Sequence, residues 1–216
     1  MTTDLFVSQH MSVLQDSSIV PAFVFITSLG STPITCLIIL LTAILCAVVR
    51  QPYILIGLLI SAIGSTAFTF LSKMAFQRSR PIDILLMEHT YSFPSGHATI
   101  SIALYGFLAY MAIRFSQSFI RQVRILSLAV LLCMFIGLSR IVLNEHYLSD
   151  VMGGFLVGTL WLTIAISIME WLTARGKINW RVSWSKGSVY MLWFSIIAVL
   201  IATFVYATIY QFPLLG

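Results

Sequence analysis

Three separated pieces of the chain, residues 73–81, 94–97 and 139–150, hold most of the side chains whose types and spacing could do polar chemistry. Lys73, Arg80 and Arg140 supply fixed positive charge, and the two arginines offer the planar fork that grips an oxyanion with two hydrogen bonds. Pro94-Ser95-Gly96 is a turn ahead of an apolar run, so the backbone amides of Ser95, Gly96 and His97 are expected to face an anion from a helix N-terminus. Gly96 lets the backbone come close. His146 and Asp150 are four residues apart and share a helix face, so Asp150 can hold one ring nitrogen and leave the other as a lone-pair nucleophile. The set fits phosphoryl transfer, where charge on three equatorial oxygens must be stabilised while nucleophile and leaving group lie in line. Three cations and backbone amides can supply that charge, so neither a metal nor a cofactor is expected.

The elements that must position these groups follow from composition. Of 216 residues, 59% are hydrophobic and 9% charged, and the mean hydropathy is +0.99. An ordinary soluble domain carries about 25% charged residues, so a soluble protein is excluded. A charge inside a bilayer costs about 2.5 kcal/mol or more, which makes each of these few charges informative. The net charge is +5, but the basic residues fall between long apolar runs rather than in an aromatic-laced patch. Nucleic acid is therefore not an expected partner, and anionic lipid headgroups are. Cys36, Cys46 and Cys133 all lie in apolar stretches and read as packing residues. Residues 1–18 lack a basic leader and carry Asp4 and Asp16, so the first apolar span is expected to act as the targeting signal.

A spanning helix needs about 20 apolar residues. Six spans are expected, over residues 33–49, 53–72, 97–113, 125–143, 151–171 and 189–210, with Arg50-Gln51-Pro52 as a tight turn. Residues 4–29 are expected to lie in the interface, since Leu5, Phe6, Val13 and Leu14 alternate at helical intervals with Ser8, Gln9, His10 and Gln15. Gly30-Ser31-Thr32-Pro33 marks a break; the alternative is one long tilted helix over 19–49. The predicted fold class is thus an all-α polytopic membrane bundle of about six transmembrane helices with an N-terminal interfacial helix. It forms one domain over 1–216, with 1–30 as the interfacial segment.

Six spans sort the charges. One side holds Arg50, Arg114, Arg121, Arg124, Arg175, Lys177, Arg181 and Lys186, which the positive-inside rule assigns to the cytoplasm. The other holds Lys73, Arg78, Arg80 and Arg140, together with His10, His89, His97, His146 and every acid except Glu170. The uncharged runs after His97 and before Arg140 give only about 24 Å and about 22 Å of helix. A hydrocarbon core is about 30 Å thick, so both residues are expected near or below the headgroup plane.

Lys73 with Arg80-Pro81, then Pro94-Ser95-Gly96-His97, then Ser139-Arg140 with His146 and Asp150, resemble the three signature motifs of the type 2 phosphatidic acid phosphatase family. That family, the lipid phosphate phosphatases, is related to vanadium haloperoxidases and glucose-6-phosphatase. The resemblance covers about residues 50–172, the expected catalytic core. It implies a bundle whose site opens toward the outer leaflet of the cytoplasmic membrane, on the periplasmic or exterior face. It further implies that His146 forms a phosphohistidine, Asp150 orients it and His97 protonates the leaving oxygen. Phosphate contacts fall to Lys73, Arg80, Ser95, Gly96 and Arg140. The implied substrate is a lipid phosphomonoester or pyrophosphate: undecaprenyl pyrophosphate, phosphatidic acid or phosphatidylglycerol phosphate.

Other features have blander readings. His10 and His89 read as surface or cap residues, and Ser95 and Asp150 as N-caps in addition to any chemistry. Arg78 lies inside the first motif at an unspecified position, where a headgroup contact, simple snorkelling or a catalytic role all fit. Gly154 and Gly158 form a small-xxx-small pair that suits close helix packing. Trp161, Trp171, Trp180, Trp184 and Trp193 read as core or interface anchors. Glu145, beside the candidate nucleophile, would raise the imidazole pKa unless it points away. Two rival functions stand: a phosphotransferase using the same histidine, and a transporter. The second predicts charge at span midpoints, yet these fall near Leu41, Ala62, Tyr105, Met134, Trp161 and Val199.

Overall fold

The computed structural model describes residues 2–12, 18–82, 84–86, 90–180 and 185–211. Val13, Leu14, His89, Arg181 and Trp184 lie outside the described residues. The described residues form α-helices α1 (Thr2–Ser12), α2 (Val20–Ser28), α3 (Thr32–Val48), α4 (Pro52–Phe76), α5 (Gly96–Arg114), α6 (Phe119–Val142), α7 (Leu148–Ala174) and α8 (Lys186–Tyr206). A π-helical turn, Ala207–Gln211, follows α8. The protein is an all-α integral membrane bundle, as the composition requires: α4 to α8 are each long and apolar enough to span a bilayer.

The break expected at Gly30 is present. α2 and α3 meet at a 43° bend, the geometry of a broken span or a re-entrant loop. The segment read as interfacial therefore divides in two. α2 packs into the bundle against α6 and α8, burying Val20 and Val24 beside Leu143 and Ala207, because its nine residues lack a polar face to present to headgroups. α1 exposes Leu5 and Phe6 together with Gln9 and His10, while Val7 and Met11 pack beside Ala98, Ile141 and Val151.

Sequence sets the helix ends. Prolines at the first turns of α2, α3 and α4 fit where no amide partner is needed. Arg50 turns the chain into α4 with φ 56, and Gln77 closes α4 with φ 45, its amide donating to the Lys73 carbonyl at 3.0 Å. The up-and-down order then brings the C-terminal ends of α4 and α6 and the N-terminal ends of α5 and α7 to one end of the bundle. At the opposite end Arg114 pairs with Glu170 and lies 4.9 Å over the Trp180 ring.

α5 is the axis, packed against α4, α6 and α7, with Leu104 and Phe107 buried among Leu58, Ala165 and Met169. Apolar burial does not favour protein over lipid in a membrane, so helices gain by close van der Waals approach at small residues. Gly154 and Gly158 make that approach on α7. A Cβ at Gly154 would lie 2.6 Å from the Ser95 carbonyl oxygen, and one at Gly158 would lie 2.6 Å from that of Thr99. Gly158→Ala is expected to force α7 off α5 at a cost of about 1–3 kcal/mol, lowering the thermal unfolding midpoint in detergent. Gly187→Ala, whose nearest neighbour is Ser185 Oγ at 3.6 Å, is expected to leave that midpoint in place.

Candidate active site

The link from α6 to α7 is the tightest piece of local geometry at the polar end. The carbonyl of Arg140 accepts from the amides of both Glu145 (3.0 Å) and His146 (3.1 Å), and Asn144 takes φ 54 to complete the reversal. The reversal brings the side chains of both Glu145 and His146 to Arg80. Glu145, fully buried, has its Oε2 at 3.6 Å from Arg80 Nη1 and 3.8 Å from Arg140 Nη2. Its Oε1 accepts from the Leu86 amide. The Glu145 carboxylate thus faces the two arginines, which answers the sequence question of where it points.

His146 is 2% exposed and lies between two charged groups. Its Nδ1 is 3.5 Å from Asp150 Oδ2, and its Nε2 is 3.4 Å from Arg80 Nη1. Arg80 is held in turn by the Thr90 carbonyl at 2.7 Å and the Glu145 carbonyl at 2.8 Å. Asp150 is an N-terminal carboxylate of α7, as its cap-like position suggested: Oδ2 accepts from the Tyr147 amide at 2.9 Å. Arg140 is fully buried and donates to Thr27 Oγ1 of α2 at 2.9 Å.

A cleft of about 870 Å³ opens in front of these groups, and Lys73, Gly96, His97, Arg140 and His146 line its polar end. Ile39, Ala62, Ile63 and Ile100 line its apolar arm. Lys73 donates to the Tyr91 carbonyl from the last turn of α4. Arg80 and Asp150 reach the site beside the two ring nitrogens of His146. Ser95 precedes α5 as its N-cap, but its amide donates to the Asp150 carbonyl at 2.9 Å. The expectation that three successive amides face an anion is therefore corrected: the Ser95 amide joins α5 to α7, leaving those of Gly96 and His97 at the helix start. The Ser95 hydroxyl is buried and has no hydrogen-bond partner among the described residues.

Arg78 is drawn into the polar end of the bundle. It neither snorkels nor reaches the cleft: Nη1 donates to Asp150 Oδ1 (2.6 Å) and Ser149 Oγ (2.6 Å), and Nη2 to Asp4 Oδ2 (2.9 Å). Its guanidinium stacks 4.3 Å over the Tyr147 ring. Asp4 and Arg78 are the polar residues of this end that spacing could not connect to the others, because their contact is made only when α1 docks.

The fold and site define a helical membrane protein with an anion-receptive cleft, built from histidine, lysine and arginine, at one end of its bundle. The chain belongs to the PAP2 superfamily, whose family model matches residues 54–174, the family that the three motifs resemble. Phosphatidylglycerophosphatase B of Bacillus subtilis (strain 168) is 34% identical over 92 residues, 41% of this chain and 44% of that protein. The alignment therefore spans less than half of that relative's length. The crystal structure of a transmembrane PAP2 type phosphatidylglycerolphosphate phosphatase from Bacillus subtilis matches with a TM-score of 0.73 at 22% identity. The match covers 83% of this chain and 88% of that one, so the two share a fold.

Glu145→Ala removes the carboxylate from between two arginines, one of them fully buried. Losing one partner of a buried ion pair costs about 3–5 kcal/mol. The variant is expected to unfold at a clearly lower temperature in detergent, with Glu145→Gln intermediate.

Proposed function

We propose that this protein is a membrane lipid phosphatase that hydrolyses a lipid phosphomonoester through a phosphohistidine on His146, without a metal. Phosphatidylglycerophosphate is the first candidate substrate. The observation that carries this reading is the convergence of His146, His97, Lys73 and Arg140 on one cleft whose other arm is apolar. The names of the similar Bacillus proteins support the substrate class.

The chemistry follows from the geometry. The His146 Nε2 lone pair attacks phosphorus, forming a P–N bond as the P–O bond to the lipid breaks. The departing oxygen takes a proton from the His97 imidazolium. Asp150, beside His146 Nδ1, stabilises the positive charge that develops on the ring. Water then attacks phosphorus, His97 accepts its proton, the P–N bond breaks, and inorganic phosphate leaves with His146 restored. Lys73, Arg80 and Arg140 stabilise the equatorial oxygens throughout, with the helix start at Gly96 and the Ser95 hydroxyl completing the cradle. The whole chain acts as one catalytic domain.

The site is proposed to face the outside of the cytoplasmic membrane. Arg50, Arg114, Arg121, Arg124, Arg175 and Lys177 all lie toward the opposite end of the bundle, which the positive-inside rule assigns to the cytoplasm.

The test is phosphate release by purified protein in detergent, across phosphatidylglycerophosphate, phosphatidic acid and undecaprenyl pyrophosphate. Phosphatidylglycerophosphate should be turned over fastest. His146→Ala should lower release by about 10³-fold or more, and a normal rate in that variant would overturn the mechanism. Vanadate, which takes the five-coordinate geometry of the transition state, should inhibit; full activity in its presence would argue against this site. Phosphate appearing on an added acceptor lipid instead of in solution would make the protein a phosphotransferase.

A further inference from the structure

α1 lies outside the region matched by the family model, yet it reaches the back of the site. We infer that Asp4 is a positioning residue for the reaction, acting on His146 through Arg78 and Asp150; this rests on the reading of His146 as the nucleophile.

Asp4, Arg78 and Asp150 alternate in charge and lead in a row to His146. Asp4 Oδ2 is 2.9 Å from Arg78 Nη2, Arg78 Nη1 is 2.6 Å from Asp150 Oδ1, and Asp150 Oδ2 is 3.5 Å from His146 Nδ1. Asp150 is fully buried and Asp4 is 9% exposed, while the Arg78 side chain between them is 28% exposed, so water screens the Asp150 end of the row least. A guanidinium held by Asp150 alone would neutralise the carboxylate that must support positive charge on the imidazole. With Asp4 on its other nitrogen, Arg78 is shared between two acids. The cluster behind His146 then keeps a net negative charge.

The charge on Asp4 is secure. Burial pushes its carboxyl up, but hydrogen bonds from Ser149 and Arg78 outweigh this and hold it below the usual range. Its stabilising contribution is therefore present above the ordinary carboxylate pKa and is lost only as pH falls below it. Asp4 stays ionised through any assay near neutral pH. α1 is kept in place by further contacts, with Ser8 Oγ donating to Asn144 Oδ1 at 2.7 Å and Val7 and Met11 packed on the α5–α7 region.

Asp4 also accepts from the Ser149 amide at 3.1 Å, so a plain helix-capping role must be separated from the charge role. The groups facing His146 are Asp150 of α7 and Arg80 of the α4–α5 segment, with Lys73 of α4, His97 of α5 and Arg140 of α6 on the same cleft. Those facing Asp4 are Arg78 and Ser149, while His10 on its own helix bonds the Phe6 carbonyl.

Release of phosphate from phosphatidylglycerophosphate micelles is measured against pH for the full chain and its variants. Asp4→Asn is expected to lower kcat about tenfold, the scale of losing a group that orients an active-site residue, with KM little changed. The acidic limb of kcat/KM should move to lower pH by about half a unit, because the imidazolium loses support. In an Arg78→Gln background Asp4→Asn should add nothing further. A full additive loss in that background, or the same pH shift from Ser8→Ala, would reduce Asp4 to a cap or a docking contact and overturn the inference. If His146→Ala abolishes release while Asp4→Asn leaves the pH profile unmoved, this inference alone fails. Normal release by His146→Ala would overturn the nucleophile reading and this inference with it.

Discussion

The contact between the backbones of α5 and α7 fixes where everything polar must go. Two glycines on α7 let its axis come close enough for the Ser95 amide to bond the Asp150 carbonyl across the helix pair. That single hydrogen bond ties the start of α5, which carries Gly96 and His97, to the start of α7, which carries Asp150. The α6–α7 reversal then hangs Glu145 and His146 from the Arg140 carbonyl. A shift at the seam would move both histidines relative to each other, so packing far from solvent controls chemistry at the bundle's end.

Charge is the second organising constraint. An apolar bundle with few ionisable groups needs its buried cations close to anions, and the described residues meet this need in layers. Arg140 and Arg80 lie near Glu145, Arg78 bridges Asp150 and Asp4, and Arg114 meets Glu170 at the far end. Glu145 keeps the cationic side of the cleft from carrying the whole repulsion of clustered guanidiniums. Asp4 on Arg78, together with Ser8 on Asn144, anchors α1 to the spanning core.

Much of the fold was legible in the sequence because the apolar runs and their proline and polar boundaries dictate where helices start and stop. Alternation of six spans brought residues 73–81, 94–97 and 139–150 to one end, as their rare polar residues suggested. The break at Gly30 was visible too, but the role of α2 was not. A short apolar segment reads alike whether it lies on lipid or inside protein. Glu145 and His146 are neighbours in sequence, and nothing in their spacing reveals that both side chains reach the same Arg80 nitrogen. The partnership of Asp4 with Arg78 joins residues 74 apart and has no motif, so only the docking of α1 could disclose it. The Ser95 amide was misassigned because a helix start predicts unpaired donors without saying which neighbour will reach them.

Ile63 lines the apolar arm of the cleft while 62% exposed on the outside of the bundle. The apolar arm of the cleft therefore includes a side chain that the bundle leaves uncovered. Under the proposed function, a substrate with an acyl tail would reach the cleft along this side without leaving the bilayer, so its search would be two-dimensional. Its supply would be set by its mole fraction among neighbouring lipids, and its rate of arrival by lateral diffusion. The surrounding membrane would in effect be the solvent of the reaction, with inert lipid as diluent.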